Sequence, residues 1–313
     1  MDNAIDQEEC PWHETAKELQ RYFAERADSQ CLLWVNPAQS DPFHEVPLVR
    51  ERRVCVPINH PRFDVRLGPY LVPLNLTQSE DMDLFRDSVD KGWQAWTADS
   101  LNAFAGQPIA GWVAAQAPAT ELARHWAWRC HLHTRRGLSK LLRFHDPSVR
   151  EWLWQSLTEQ QKRLLLGPAK CILSIGRGHS LVHHVMPPQD TSGDAGQPLL
   201  LDEKQWVQVE DYATVHAAWL AFSLGSNDHA PIGGGWPQDV FEALSHATTF
   251  GINAMLDREL FALHALQLGG AFHTAGRMLP VWEKTRSGNY YGSAVEEVFG
   301  RPGDQLHQYS ENA

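Results

Sequence analysis

The sequence predicts an α/β N-terminal lobe, in which helices flank a mixed sheet, followed by an all-α helical C-terminal lobe. Short apolar or alternating segments bounded by Gly, Pro and Asn recur through the first part of the chain, which is typical of strands. A polar segment rich in Pro and Gly follows at residues 187–198 and marks the best boundary. Beyond it, apolar residues recur every three or four positions, as in amphipathic helices. We therefore predict two lobes, at residues 1–190 and 198–313.

The N-terminal lobe is predicted to alternate between strands and helices. A charged amphipathic helix is expected over residues 14–27, and the apolar run at 31–35, which ends at Asn36-Pro37, indicates a buried strand. Gly68-Pro69 breaks the chain before a further strand, and Pro118 opens a helix. The remaining elements are strands at 52–58, 70–74, 111–116 and 140–144, helices at 79–91, 118–133, 147–157 and 158–165, and two strands joined by a Gly-x-Gly turn at 171–186.

The segment from residue 141 to 168 joins a strand to a capped helix. Period-2 alternation places Leu142 and Phe144 on one face of the strand. Arg143 and His145 would lie on the other face. Asp146 then occupies an N-cap position, and the proline after it fits the first helical position, where its missing N–H would be unpaired anyway. The helix is expected to bury residues at helical spacing, namely Val149, Trp152, Leu153 and Leu157.

The C-terminal lobe is predicted to begin with a helix that Asp202 caps. Its apolar stripe has a spacing of three or four residues and comprises Trp206, Val209, Ala213, His216 or Ala217, Leu220 and Leu224. A Gly-rich break at 231–237 separates this helix from a second helical stretch at 238–270. The stripe of that stretch comprises Phe241, Leu244, Ile252, Met255, Leu263 and Leu266.

Composition indicates a soluble globular protein, because 43% of the 313 residues are hydrophobic and 21% are charged. The formal net charge is −11, and no basic stripe of the kind that binds nucleic acid is visible, so we expect no nucleic-acid partner. No apolar stretch reaches about 18 residues, and the acidic N-terminus has no secretory signal, so we expect no membrane partner. Five widely spaced cysteines without a C-x-x-C pair fit a reducing compartment. We therefore expect a cytoplasmic protein.

One cluster has the residue types that acid–base or triad chemistry requires, namely Arg143, His145, Asp146 and Ser148. A triad, however, needs side chains that converge from distant segments, and no G-x-S-x-G elbow marks a nucleophile. Capping already explains Asp146, and a structural ion pair is the favoured interpretation of Arg143. We therefore predict no catalytic residues.

Sixteen histidines raise an alternative, a His-rich metal-dependent hydrolase. Two groups are close in sequence, namely His125, His131 and His133, and then His179, His183 and His184. There is no H-E-x-x-H motif, and the second group has no carboxylate or cysteine at ligand spacing. On a strand, His179 and His183 would lie about 13 Å apart, too far to share a metal directly. We predict no metal ligands and keep the hydrolase as the second hypothesis.

Two glycine-rich segments resemble phosphate-binding loops only superficially. Residues 176–180 lack the third glycine and the following helix of a dinucleotide-binding loop. Residues 233–237 lack the Lys-Ser/Thr of a P-loop. Both segments are better interpreted as turns, so we predict no cofactor.

Several short motifs follow one another in a characteristic order. A strand that ends in Arg143-Phe144-His145-Asp146-Pro147 is followed by a helix and by Leu165-Leu166-Gly167-Pro168. Upstream stands Gly68-Pro69-Tyr70-Leu71-Val72. Further matching segments are the one with Trp93 and Trp96, His131-Leu132 before Arg135-Arg136, residues 198–206 and residues 250–272. In order and spacing, this set resembles the adaptor domain of type VI secretion effector chaperones of the Tap or TEC type, over residues 31–282.

The resemblance implies a non-enzymatic, cytoplasmic adaptor. Such a protein binds one toxic effector and helps to load it onto the spike-tip protein of the secretion machine before export. Its partners would therefore be the effector and the spike-tip protein. Interfaces of this kind depend on aromatic and arginine anchors. The residues we predict at the binding surface are Arg143, His145, Asp146, Trp206 and Trp236.

Overall fold

The computed structural model describes residues 10–38, 40–61, 63–133, 139–188, 197–225, 236–300, 302 and 306. The chain divides into two units, an N-terminal unit at residues 1–200 and a C-terminal unit at 201–313. Most of the predicted linker at 187–198 and of the Gly-rich break at 231–237 lies outside the described residues.

A six-stranded sheet forms the framework of the N-terminal unit. The strands of the unit are β1 (Gln30–Val35), β2 (Val54–Cys55), β3 (Tyr70–Leu74), β4 (Ile109–Ala115), β5 (His131–His133), β6 (Ser139–Leu141), β7 (Ala169–Ile175) and β8 (Leu181–Val185). In the sheet their order is β2-β3-β1-β4-β7-β8, while β5 and β6 form a separate hairpin. Every described ladder is antiparallel.

Helices accompany this sheet, as the predicted α/β class requires. They are α1 (Trp12–Ala24), α2 (Pro47–Arg52), α3 (Ser79–Gln94), α4 (Ala98–Asn102), α5 (Ala119–Arg129), α6 (Pro147–Ser156) and α7 (Glu159–Leu166), with 3-10 turns at Val65–Leu67 and Arg177–His179. Every residue of the central strand β4 is buried, which explains why its sequence is a continuous apolar run rather than an alternating one. The predicted strands at 31–35, 70–74 and 111–116 and the strand pair at 171–186 are confirmed.

Strands β4 and β7 approach each other very closely at Gly111. This residue has a φ of +143°, and a Cβ atom there would lie 2.2 Å from the carbonyl oxygen of Leu173. Since no side chain fits that gap, only glycine allows the two strands to keep their register here.

Three predicted elements of the N-terminal unit have the wrong extent. The helix expected over 118–133 ends at Arg129, because the next residues pair with β6 as strand β5. The strand expected at 140–144 ends at Leu141, and the strand expected at 52–58 is reduced to two residues. In each case pairing with a distant or neighbouring segment, rather than local periodicity, sets the boundary.

An aromatic cluster lies at the centre of the N-terminal unit. The rings of Trp34 (β1) and Trp126 (α5) stack with their centroids 4.2 Å apart. Phe144 meets both rings edge-on, at 5.4 and 5.8 Å. Such pairs contribute about 0.5–1.5 kcal/mol each beyond the area that they bury. The cluster therefore anchors the segment between β6 and α6 to the sheet.

The described part of the C-terminal unit is helical, as predicted. Its helices are α8 (Glu203–Gly225), α9 (Trp236–Ala247), α10 (Met255–Leu268), α11 (Leu279–Arg286) and α12 (Tyr291–Phe299), with 3-10 turns at Thr248–Phe250, Phe272–Thr274 and Gly276–Met278. Asp202 caps α8 as predicted, because its carboxylate accepts from Gln205 N while the Gln205 side chain accepts from Asp202 N. This reciprocal arrangement satisfies two backbone donors at the helix start.

The predicted apolar stripe of α8 is wrong. The buried residues of this helix are Gln205, Gln208, Asp211, Thr214, Val215, Ala218 and Trp219. Of the residues predicted in the stripe, Ala213 and Leu224 are exposed and Val209 is only half-buried. The cause lies in side-chain pairing, because Asp211 accepts from Arg258 of α10 at 2.5 Å and Gln208 bonds Gln238 of α9 at 3.2 Å. These bonds turn the polar side of α8 inward.

Candidate partner-binding site

A tight turn between β6 and α6 sets the positions of the predicted site residues. The Leu142 N–H donates to the Cys130 carbonyl at 2.7 Å, and the chain then turns, with the Asp146 N–H donating to the Arg143 carbonyl at 2.9 Å. The turn ends the period-2 alternation. Phe144 and the residue after it are therefore both buried, whereas the sequence predicted that they would lie on opposite faces.

Asp146 is the N-cap of α6, as predicted. Its Oδ1 accepts from the Ser148 N–H at 3.0 Å, with Pro147 at the first helical position. Its Oδ2 lies 3.7 Å from the Arg143 guanidinium, whose side chain is 50% exposed. An exposed pair at this distance contributes about 0–1 kcal/mol. Arg143 is therefore available at the surface, next to a carboxylate whose main contacts fix the helix start.

His145 does not reach the surface, because only 1% of the residue is exposed. Burial lowers the pKa of this imidazole to about 3, and the nearby cations Arg143 and Arg150 lower it further. The ring is therefore neutral at physiological pH. Among the described residues, no group hydrogen-bonds its Nδ1. The prediction that His145 contacts a partner directly does not fit this position.

The same turn lacks the hydrogen bond that a triad needs. The Ser148 hydroxyl is buried and, within the described part of the chain, has no hydrogen-bond partner. The His145 Nδ1 also has none. A nucleophilic serine requires a base within hydrogen-bond reach. The geometry of this segment therefore fits a structural role.

Arg150 is the residue of this segment that sequence reasoning missed. Its side chain is fully buried. It donates to the Phe144 carbonyl at 2.9 Å and to the Ala110 carbonyl of β4, and its guanidinium lies 5.3 Å from the centre of the Trp34 ring. Since it follows the helix spacing to Leu153, its position on the buried face was visible in the sequence. Arg150 is not among the residues that the sequence predicted to be buried in this helix.

The electrostatics of Arg150 are set first by burial. Desolvation lowers the pKa of its guanidinium to about 9, although the carboxylates of Asp146 and Glu151 act in the opposite direction. The group therefore keeps its charge at neutral pH. It ties α6 to β4 and to the turn before α6, so it holds Arg143 and Asp146 in place at the surface.

A second arginine lies among tryptophans at the turn between β7 and β8. Arg177 pairs with Glu151 at 2.9 Å. Its guanidinium lies 4.2 Å from the Trp152 ring centre and 5.5 Å from that of Trp96. These contacts fix the turn against α6 and the segment after α3. Both tryptophans are therefore part of the core packing of the N-terminal unit.

An exposed patch next to the end of α5 was also missed. It is lined by Trp128, Arg129, His131, Pro198, Leu199 and Leu200, and we call it the Trp128 patch. Trp128 is 48% exposed and Leu200 is 64% exposed. The Arg129 guanidinium lies 4.2 Å from the Trp128 ring centre. The patch thus places an exposed tryptophan over an arginine, two residue types that are enriched in interface hot spots. Only the folding of residues 197–200 beside α5 reveals it.

The two C-terminal tryptophans of the predicted site have different outcomes. Trp206 lies in α8 and is half-buried. Trp236 is the first residue of α9, but its side chain lies outside what the structure describes. Both residues belong to the C-terminal unit, whereas Arg143 and Asp146 belong to the N-terminal unit.

Within the residues that the structure describes, no three His, Cys, Asp or Glu residues are grouped so that they could hold a metal ion. No described helix is both long enough and apolar enough to cross a bilayer.

Comparison with known proteins links the N-terminal unit to one family. Residues 65–164 match the family model described as "Domain of unknown function (DUF4123)", a family associated with type VI secretion effector adaptors. The match covers about a third of the chain, from the turn before β3 to α7, and includes Trp128 and the turn from Arg143 to Pro147. Neither the curated proteins nor the solved structures gave a match.

Proposed function

We propose that this protein is a type VI secretion effector adaptor. It binds one toxic effector in the cytoplasm and helps to load it onto the spike-tip protein, by stoichiometric binding and without catalysis. The observation that supports this proposal most directly is the family match over residues 65–164. The same role is implied by the motifs around Arg143–Pro147 and Leu165–Pro168.

The surface that we assign to partner binding is the Trp128 patch together with the exposed Arg143. Both belong to one local structure, since β5 follows α5 directly and pairs with β6, which leads to Arg143. A half-exposed tryptophan that already stacks on an arginine loses little conformational freedom on binding. Burial of such an anchor contributes more to the binding free energy than contacts of charged residues at the rim of an interface do.

The chemistry of the turn fits a binding protein. His145 is held neutral and buried, and the Ser148 hydroxyl has no base beside it among the described residues. The aromatic cluster and Arg150 instead hold the turn rigid. A rigid frame lowers the entropic cost of presenting a surface to a partner.

Co-expression with the effector and the spike-tip protein encoded beside this gene tests the proposal. A tag on this chain should retain the effector in a stable, stoichiometric complex. Trp128→Ala should weaken that complex by about 2 kcal/mol, or about thirtyfold in Kd, as for an interface hot spot. Phe104→Ala, at an exposed aromatic residue elsewhere in the same unit, is the matched control and should have no effect. Failure to bind either neighbouring protein would contradict the proposal.

A further inference from the structure

The two edges of the six-stranded sheet differ in how well they are protected against added strands. One edge is β2, which has only two residues. It follows Arg50, Arg52 and Arg53 and precedes Pro57. Very short strands, charged residues and proline are the usual devices that prevent an edge strand from pairing with another chain. The β2 edge is thus closed to strand addition.

The other edge is β8, which is also followed by prolines, Pro187 and Pro188, but is longer than β2 and has no adjacent arginine. Its sequence, Leu-Val-His-His-Val, contains no Lys, Arg, Asp, Glu, Pro or Gly over five residues. Val185 is 53% exposed and His183 is exposed as well. A five-residue strand of β-branched and aromatic-ring side chains has the length and composition of an interior strand, although it lies at the edge.

The ladder with β7 shows which backbone groups of β8 point outward. Flanking bonds run from Met186 N to Lys170 O and from Gly176 N to Ser180 O, each 2.8 Å long. In an antiparallel ladder the bonded positions alternate. Continued along β8, this alternation turns the backbone groups of Val182 and His184 towards β7. The backbone groups of the intervening residues Leu181, His183 and Val185 point away from β7, towards the open edge of the sheet.

No described residue hydrogen-bonds the outward N–H and C=O groups of Leu181, His183 and Val185. The side chains of these three residues share one face of the sheet, where the Tyr22 ring of α1 lies 5.8 Å from the His183 ring. The edge thus offers a row of unpaired donors and acceptors next to an aromatic surface.

From this geometry we infer that β8 binds an extended segment of a protein partner, which adds to the sheet as a further strand. Backbone hydrogen bonds would supply affinity, and alternate side chains would supply specificity. The segment should be uncharged and β-branched at the positions that face Leu181 and Val185, because those side chains are apolar. The inference rests on the proposed function, since it names how such an adaptor would hold a partner.

A second copy of this chain fits the edge less well. Antiparallel pairing of two β8 strands about a two-fold axis at His183 would set the two imidazoles opposite each other. It would also bring together, on one face, the two α1 helices, where Arg26 lies over Tyr22 at 3.8 Å. Two guanidiniums on the same face of the joined sheet would repel each other. We therefore assign the edge to a different protein.

A random peptide library displayed on phage, selected on the full-length protein, tests the inference without knowledge of the partner. We expect enrichment of uncharged, β-branched sequences. Synthetic peptides from the selection should lose affinity by about tenfold or more with Val185→Lys, which places a charge at the edge. Val65→Lys is the matched control, because Val65 is an exposed valine outside the sheet, and it should bind like the wild type. Absence of enrichment, or equal binding by both variants, would overturn the inference.

Amide hydrogen exchange provides a second measurement that needs no variant. In the free protein the amides of Leu181, His183 and Val185 should exchange fast, and a selected peptide should slow all three. The Val182 and His184 amides should be slow in both states. If the peptide slows other regions but not these three amides, the peptide binds elsewhere and the inference is wrong. A dimer of the free wild type that Val185→Lys converts to monomer would assign the edge to a second copy instead.

The test also separates this inference from the proposed function. If the neighbouring effector binds Val185→Lys as tightly as the wild type, the adaptor role stands and β8 is not its binding edge. If selected peptides bind β8 but neither neighbouring protein binds the chain, the edge inference stands and the adaptor role fails.

Discussion

Two buried polar side chains, one in each unit of this protein, are held in different ways. In the N-terminal unit, Arg150 is fully buried and is held by two backbone carbonyls and the face of Trp34. In the C-terminal unit, Asp211 of α8 is held by another side chain, that of Arg258. A guanidinium held by backbone atoms has no partner that could be mutated along with it. A side-chain pair has such a partner. Substitution of one or both residues therefore distinguishes the two arrangements by the unfolding free energy that is lost.

Arg150→Ala should cause the largest loss of stability. It leaves the carbonyls of Phe144 and Ala110 without a donor and opens a cavity beside Trp34, so we expect about 3–5 kcal/mol of lost unfolding free energy. Urea unfolding measured by tryptophan fluorescence gives this value. Arg143→Ala is the matched control, because its ion pair is exposed, and should cost less than about 1 kcal/mol. Equal losses for the two variants would mean that Arg150 does not hold the turn.

Asp211→Ala should cost about 1–3 kcal/mol, because Arg258 would lose a charge-assisted hydrogen bond in a largely buried position. For this side-chain pair we expect that a second substitution restores stability. Replacing both residues together, as Asp211→Leu with Arg258→Leu, should recover most of the loss, since a buried ion pair can often be exchanged for apolar residues. A double-mutant cycle measures the coupling, expected between about 0.5 and 3 kcal/mol. A coupling near zero would mean that the two residues do not interact with each other.

The same contrast explains what the sequence could predict. The caps at Asp146 and Asp202 and the strand at 31–35 depend on neighbours in the chain, so local patterns revealed them. The burial of Arg150 and of the polar side of α8 depends on partners that are distant in sequence, namely Ala110, Gln238 and Arg258. Local periodicity carries no information about these partners, so it selected the apolar residues of α8 as the buried stripe, and that prediction is wrong.

In the candidate site, too, local patterns predicted some features, whereas contacts between residues distant in sequence determined the others. Arg143 and Asp146 could be placed because a strand end and a helix cap have local signatures. His145 was misplaced, because a single turn interrupts the alternation just before it. The Trp128 patch could not be predicted, since its other wall is formed by residues 198–200, about 70 positions further along the chain. Local patterns thus identified residues of the site but not the surface that they share.

A further expected effect is a pH dependence that originates in the N-terminal unit. Burial lowers the pKa of His145 to about 3 and holds that of His184 well below its ordinary value. As pH falls below about 6.5, the unfolded chain takes up protons on these rings that the folded chain does not bind. Their stabilising contribution is complete above about pH 6.5 and is lost progressively towards about pH 3.

For each such ring, the unfolding free energy should fall by up to about 1.4 kcal/mol for each unit by which the pH is lowered within that window. His145→Gln should therefore flatten the dependence between about pH 6.5 and 5, a range that lies above the titration of carboxylates such as Asp64, whose pKa Arg66 lowers to about 2. The slope of unfolding free energy against pH is the readout, because it is independent of any constant packing cost of the substitution. His44→Gln, at an exposed ring, is the control. If His145→Gln kept the slope of the wild type, His145 would have to be accessible to protons in the folded protein, and the turn before α6 would have to open without global unfolding.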